Sequence, residues 1–305
     1  MALPKKCPLC SAEINMQEVV TSHVYGDNEG NRSFYHCKKC DVRYQYPGLT
    51  QEEERQLYTA EFESFMAGRA GVSGGWEVAN DHVSANEKTR HRRMKYIESF
   101  LTDSCDILEV GCSSGFMLWP LVKSGYQCSG IEPSGVFSEY VRERKLDVYE
   151  SVNRLQKAKP HASYDIIMHF FVLEHISNPV SFLREQLKLL KSGGKIIFEI
   201  PNAADPLYSV YDIQGFERFY WSIAHPWYFS EDSLRYLLDQ LDCSYEVLLD
   251  QRYDLSNHMI WARDGKPGGM EFFTDKLSIE LENGYKQALI NTGKCDTLIG
   301  IISKN

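Results

Sequence analysis

The chain has 305 residues, enough for one large domain and a small appendage, and at 43% hydrophobic and 25% charged it reads as globular. Its net charge of −9 argues against a broad nucleic-acid footprint, and no apolar run approaches the roughly 18 residues needed to span a bilayer. The opening MALPKKCPLC lacks the apolar core of a signal peptide, so nine cysteines point to metal binding and buried thiols in a reducing compartment, the cytoplasm, and not to disulfides.

Cys7-Pro8-Leu9-Cys10 and Cys37-Lys38-Lys39-Cys40 form two C-x-x-C knuckles with 26 residues between them. Four thiolates so spaced suit a tetrahedral structural Zn2+ with every position filled by protein. A redox C-x-x-C would be single and would precede a helix in a thioredoxin-like unit. The polar segment between the knuckles reads as the strands and turns of a ribbon, too short for a core of its own, so the metal supplies the missing stability. Residues 1–48 are expected to be this zinc ribbon. Cys105, Cys112, Cys128, Cys243 and Cys295 fall in or beside apolar stretches and are expected to be inert core thiols.

Residues 49–100 read as a helical linker or lid. Thr50 caps a helix with acids in its first turn and apolar positions Leu57, Phe62, Phe65 and Met66; GVSGG at 71–75 is a joint. A second helix is expected over Asn86–Leu101, with Met94, Ile97 and Leu101 on one face. Its basic cluster, Arg90, Arg92, Arg93 and Lys95, is either a solvated face or a phosphate contact.

Residues 101–305 carry the most informative stretch. An apolar strand through Ile107, Leu108 and Val110 runs into the turn Gly111-Cys112-Ser113-Ser114-Gly115. A helix through Leu118, Leu121 and Val122 follows, then a strand Gln127–Ile131 that ends on Glu132. Glycines at 111 and 115 allow a tight turn and close approach to a ligand. An acid closing the second strand, about 20 residues on, is placed to accept hydrogen bonds from a ribose diol. The middle position is Ser113, so the turn lacks the dense glycine packing that a pyrophosphate requires. Downstream, Asp165 opens an apolar strand followed by Phe171-Val172-Leu173-Glu174-His175. A helix Pro179–Leu190 comes next, then the turn Lys191-Ser192-Gly193-Gly194-Lys195 and a strand Ile196–Ile200 closed by Pro201-Asn202.

The E-x-G-x-x-x-G turn, the V-L-E-H segment, the L-K-x-G-G turn and the E-x-P-N strand end resemble the motifs of class I S-adenosylmethionine-dependent methyltransferases, in order, over residues 105–202. Ser113 departs from that family's usual middle glycine. The resemblance implies an α/β fold, a Rossmann-like sheet with helices on both faces preceded by the small zinc ribbon. It implies S-adenosylmethionine held by Glu109, Gly111, Cys112, Ser113, Gly115, Glu132 and Pro133, with Phe170, Phe171 and His175 at the methyl-donor end. Segments ahead of the first strand commonly cover the cofactor in that superfamily, which makes Tyr58 and Phe62 lid candidates, against ordinary packing.

After Asn202 comes an aromatic segment, 212–230, whose end, His225-Pro-Trp-Tyr-Phe229-Ser230, resembles the H-L-Y-H-F-S segment of small-molecule methyltransferases. Ser230 caps a helix through Leu234, Leu237 and Leu238. His225 stands just before it, either as general base or as a ring that only orients the loop; His169 and His175 are second candidates. Tyr245–Asp250 and Thr297–Ser303 read as strands, Asn257–Trp261 as substrate-side residues, and 265–293 as a helical insertion with its helix over Phe272–Asn291.

The ribbon, the core and the H-x-x-x-F-S loop together resemble sugar methyltransferases, including those that act on carbon of nucleotide-linked keto sugars. The acceptor is therefore expected to be a sugar or nucleotide-linked sugar, methylated on O or C in glycan or natural-product biosynthesis. Nucleic acid is disfavoured. An rRNA base methyltransferase with a zinc ribbon is the alternative, against which stand the acidic balance and Asn202, which differs from an N-P-P-[FY] motif. A cofactor-binding pseudoenzyme whose ribbon recruits a partner is the third reading. Oligomeric state is open.

Overall fold

The computed structural model describes residues 3–57, 79–133, 135–273 and 275–304. The lid candidates Tyr58 and Phe62, with Phe65, Met66 and the 71–75 joint, lie outside the described residues.

Two sheets organise the described residues. The larger contains β4 (Asp106–Val110), β5 (Gln127–Ile131), β6 (Asp147–Tyr149), β7 (Tyr164–Phe170), β8 (Leu190–Pro201), β10 (Ser244–Asp250) and β11 (Thr297–Ser303). Its order is β6-β5-β4-β7-β8-β11-β10, parallel except for β11, which runs antiparallel to both β8 and β10. The order agrees with the Rossmann-like sheet that the class I methyltransferase resemblance implies. Side chains alternate along each strand, so Leu108, Ile167, Ile196 and Phe198 enter one buried cluster while Ile107, Ile166, Met168 and Ile197 enter the other. The first face is covered by α6 (Val152–Ala158), α7 (Pro179–Leu189) and α10 (Glu231–Leu238) through Leu155, Leu183 and Leu234. The second is covered by α4 (Leu118–Lys123) and α5 (Gly135–Glu143) through Leu118, Leu121 and Val141.

The N-terminal sheet pairs β1 (Gln17–Thr21), β2 (Ser33–Cys37) and β3 (Arg43–Tyr46), and takes a fourth strand from far along the chain, β9 (Trp227–Tyr228). Arg43 pairs with Tyr228 and Tyr44 with Trp227. The cysteines, Tyr35 and Tyr44 share one buried cluster with Trp227, Phe229 and the large sheet. The module therefore grows out of the main core and frames the segment that carries His225.

Local signals place the ends of most elements. Thr50 and Glu53 form a capping box on α1 (Gln51–Gln56), Asn178 caps α7, and Ser230 and Ser233 cap α10. Three elements depart from the sequence reading. The helix expected over 86–101 is α3 (Glu87–Met94), which follows α2 (Ala79–Ala85) and gives way to a short 3-10 turn at Glu98–Phe100. The L-K-S-G-G segment is the irregular start of β8, where Gly193 takes φ +74° and its N–H bonds Lys304 O at 3.2 Å. The late helix, α12 (Ile279–Asn291), begins after Ser278 because that side chain caps it.

Two buried histidines and the half-buried His82 make stability depend on pH. Burial pushes His169 down to about 3, and His82 and His258 to about 4. The unfolded value is near 6.5, so the stability carried by the neutral rings is complete above that pH and is lost as pH falls toward 4 and below. The Tm should therefore drop between pH 7 and pH 5. His169→Phe keeps the ring against Phe198 and should flatten part of that drop; an unchanged pH dependence in the variant would overturn the assignment.

Candidate active site and metal centre

The glycine turn closes the carboxyl ends of β4 and β5. Gly111 has φ +73°, and a Cβ there would meet Val172 Cγ2 at 2.7 Å, so only glycine permits the V-L-E-H segment to pack so close. Ser113 has φ +48°, the left-handed conformation for which glycine is usual at this position. Its N–H donates to Glu132 Oε2 at 2.6 Å, so the acid that ends β5 bends over the turn. Cys112 is fully buried and lies against Gly130 of β5, a packing role. Pro133 follows at the surface.

Glu109 sits beneath the turn at 2% exposure, and burial pushes its carboxyl well up, with the Arg93 charge pulling the other way. Arg93 Nε donates to Glu199 Oε2 at 2.7 Å; Arg92 pairs with the other oxygen of Glu199 and reaches Asp250 at 2.5 Å. The solvated-face reading of the basic cluster thus holds for Lys95 and fails for Arg92 and Arg93, which turn inward to a carboxylate on β8. Burial works against an ionised Glu199, yet the arginines hold its carboxyl below the ordinary range. Above them, the Arg93 guanidinium lies 4.2 Å from the Phe170 ring centre and that of Arg252 lies 4.4 Å from that of Phe171. Phe171 adopts φ +57° and donates its N–H to Glu199 O at 2.9 Å. Phe170, which ends β7, and the following Phe171 thus each lie against an arginine at the carboxyl edge of the sheet.

Beyond β7 the chain brings together Glu174, His175 and His225, whose ligating atoms lie within 4.8 Å of one another. The two imidazoles meet edge to face, 4.6 Å between centres. His175 Nδ1 donates to Ala224 O at 2.6 Å. Tyr228 donates its hydroxyl proton to Tyr220 O, so its oxygen accepts from His225 Nδ1 at 3.1 Å. With that contact a neutral His225 carries its proton on Nδ1. His169 is placed differently. It is fully buried on β7, stacked on Phe198 at 5.0 Å, so it belongs to the core and not to this cluster.

A methyltransferase-domain profile matches residues 80–246, more than half of the chain. The chain belongs to the methyltransferase-domain family. It is 30% identical over 138 residues, 43% of this chain and 57% of the other, to a ubiquinone biosynthesis O-methyltransferase of Hydrogenovibrio crunogenus. It is 34% identical over 109 residues, 33% of this chain and 46% of the other, to the protein of the same name from Nitrosococcus oceani. The chain thus spans about half the length of the curated relatives it matches. Among solved structures, a SAM-dependent methyltransferase from Archaeoglobus fulgidus aligns at TM-score 0.49 and 18% identity, covering 72% of this chain and 94% of that one. The matched region stops short of the cysteine module, which begins the chain.

In that module the four thiols converge. Cys7 Sγ lies 3.7 Å from Cys40 Sγ, and Cys10 Sγ 3.5 Å from Cys37 Sγ. The knuckles have one shape: Ser11 and Asp41 take φ +57° and +58°, and Cys7 N–H and Cys37 N–H bond Ala12 O and Val42 O at 2.8 and 2.9 Å. The second knuckle also reaches the active-site loop, because Asp41 accepts from the Ser230 hydroxyl, and Gln45 N–H donates to Pro226 O at 2.9 Å.

Several residues escaped the sequence reading. Glu174 lay inside a motif already singled out and was passed over for its neighbour. Glu199 lay in the E-x-P-N strand end and Tyr220 and Tyr228 in the aromatic 212–230 segment, yet their roles, like that of Arg252, depend on partners distant in sequence. Asn257 and Trp261, expected on the substrate side, are buried in α11 (Leu255–Asp264). Asn257 Nδ2 bonds Gly268 O at 2.7 Å, and Trp261 packs on Phe216 and Phe219. Asn202 pins the turn after β8 by donating to Cys295 O at 2.8 Å and accepting from Ala204 N–H at 3.0 Å. No described helix is long and apolar enough to cross a membrane.

Proposed function

We propose that the chain transfers a methyl group from S-adenosylmethionine to a small-molecule acceptor, a sugar or nucleotide-linked sugar methylated on oxygen or carbon. The carrying observation is that Val172, two residues before Glu174, packs on Gly111 of the glycine turn, while Glu174, His175 and His225 lie within 4.8 Å of one another. The relatives bear the name of a small-molecule O-methyltransferase, which favours a small acceptor over a nucleic acid. Glu132 would take the ribose hydroxyls, the Gly111–Gly115 backbone the rest of the nucleoside, and Phe170, Phe171 and His175 the sulfonium end. Methyl transfer is an in-line displacement at that sulfonium. The protein's share is alignment, and for a hydroxyl or acidic carbon, acceptance of a proton at His225.

The four cysteines fit a structural zinc ion. A tetrahedron with Zn–S near 2.3 Å puts sulfurs about 3.8 Å apart, close to the observed separations. Four thiols converging on one point, two from each knuckle, also suit a cation at their centre. Glu174, His175 and His225 form a second donor set for a divalent ion. Elemental analysis separates the two readings, one metal per chain for the ribbon alone and two if the second set is also filled.

Glu132→Ala tests the cofactor assignment. It removes charge-assisted bonds worth about 1.5–3 kcal/mol each, so S-adenosylhomocysteine affinity should fall at least about tenfold in a folded protein. Unchanged calorimetric binding would sink the assignment. Turnover of a labelled methyl donor against a panel of nucleotide-linked sugars and phenols then identifies the acceptor; methylation of rRNA alone would favour the alternative.

A further inference from the structure

Between the cysteine module and the large sheet lies a cavity of about 180 Å³, walled by Tyr44, Gln45, Tyr46, His175, Pro226 and Trp227. Gln45 sits on β3 at 5% exposure, and neither its side-chain nitrogen nor its oxygen has a hydrogen-bond partner among the described residues. A buried amide with both ends unsatisfied destabilises the fold, and native interiors seldom keep one without a use for it. Leucine would fill the same space without that penalty. The amide's backbone is fixed, because Gln45 N–H bonds Pro226 O and its neighbour Tyr44 pairs with Trp227. A residue with an unsatisfied side-chain donor and acceptor thus lines an aromatic cavity from a fixed backbone. His175 belongs to this wall and also touches His225, so the cavity opens beside the acid–base cluster.

We propose that this cavity is the acceptor subsite, and that it takes a single hydroxyl-bearing ring whose hydroxyl groups both donate to and accept from the Gln45 amide. The volume decides the size class. A cavity of about 150 Å³ suffices for a benzene-sized ring, and one of this size has no room for two. The aromatic walls suit a flat ring face, whether of a phenol or of the apolar face of a sugar, and a nucleotide attached to that ring would have to lie outside. The shared chemistry is a six-membered ring with adjacent hydroxyls. Naming it the acceptor rests on the methyltransferase reading above. In this site the N-terminal module forms half of the specificity pocket, and Gln45 is its selecting residue.

Ligand-observed saturation-transfer NMR on the full chain loaded with S-adenosylhomocysteine tests this, with catechol and methyl α-D-glucopyranoside as separate probes. Saturable binding of catechol assigns a phenolic ring and of the glucoside a sugar ring; either supports the subsite. Gln45→Leu should weaken the bound probe at least about tenfold. It should also leave the Tm of the unliganded chain equal or higher, which a structural amide would not allow. Gly48→Phe, at the rim where an added Cβ meets nothing within 4 Å, should obstruct the same probe without touching the amide. The proposal falls if neither probe saturates by about 20 mM, if Gln45→Leu binds as the wild type does, or if Gln45→Leu lowers the Tm. Failure of S-adenosylhomocysteine to bind overturns the methyltransferase reading instead, and the probes titrated on the unloaded chain still report on the cavity.

Discussion

His225→Ala should lower turnover by about 10²–10⁴-fold while S-adenosylhomocysteine affinity stays within about threefold. The ring is held by Tyr228, whose hydroxyl proton is committed to Tyr220 O, and it faces Glu174 and His175 within 4.8 Å. That arrangement orients the ring through Nδ1, and a neutral imidazole so held is a competent general base. A second substitution separates chemistry from loop geometry. His225→Asn retains a donor near the Nδ1 position, so it preserves the link to Tyr228, but it offers no basic nitrogen. As a base, His225 requires the Asn and Ala enzymes to be equally poor in single-turnover assays. If instead the Asn enzyme keeps most of its rate, the ring serves only to order the loop. Tyr228→Phe should have a smaller effect, about tenfold, because it frees the ring to reorient without removing it.

The parts of this site legible in the sequence are those that local pattern determines. Apolar runs of five to seven residues closed by turn residues located β4, β5, β7, β10 and β11, and the bounds of β5 and β11 agree with the observed Gln127–Ile131 and Thr297–Ser303. Cap residues placed α7 and α10. Knuckle spacing brought four cysteines together because each C-x-x-C fixes its own turn. Illegible parts depend on partners far apart in sequence. Arg93 and Glu199 are 106 residues apart, and nothing in a run of basic residues tells which of them will turn inward. A two-residue strand such as Trp227–Tyr228 has no periodicity to read, so the module's dependence on the active-site loop was invisible. Gln45 was hidden for the opposite reason: it alternates with two tyrosines as a surface polar residue would, and only the fourth strand buries it.

Removing zinc should abolish turnover and leave cofactor binding largely intact. The purified chain should carry zinc on Cys7, Cys10, Cys37 and Cys40. Structural zinc sites in small modules contribute an apparent 10–16 kcal/mol, about as much as the whole stability of a typical domain, so the N-terminal sheet should not survive its loss. The consequence reaches the chemistry through three contacts. The β3 strand pairs with Trp227–Tyr228, Gln45 N–H holds Pro226 O, and Asp41 of the second knuckle accepts from Ser230 at the start of α10. All three fall within the five residues that follow His225. A displacement of about 1 Å in a catalytic group can cost about 10²-fold, and an unframed loop moves further than that. The glycine turn hangs instead on β4 and β5, which pair with β7 and β6 and with no strand of the smaller sheet. S-adenosylhomocysteine should therefore still bind a Cys37→Ser, Cys40→Ser double variant, with affinity within a few fold of the wild type. A metal-free chain that turns over at the normal rate would show that the module is a separate appendage. Loss of cofactor binding in step with turnover would show that the entire core collapses with it.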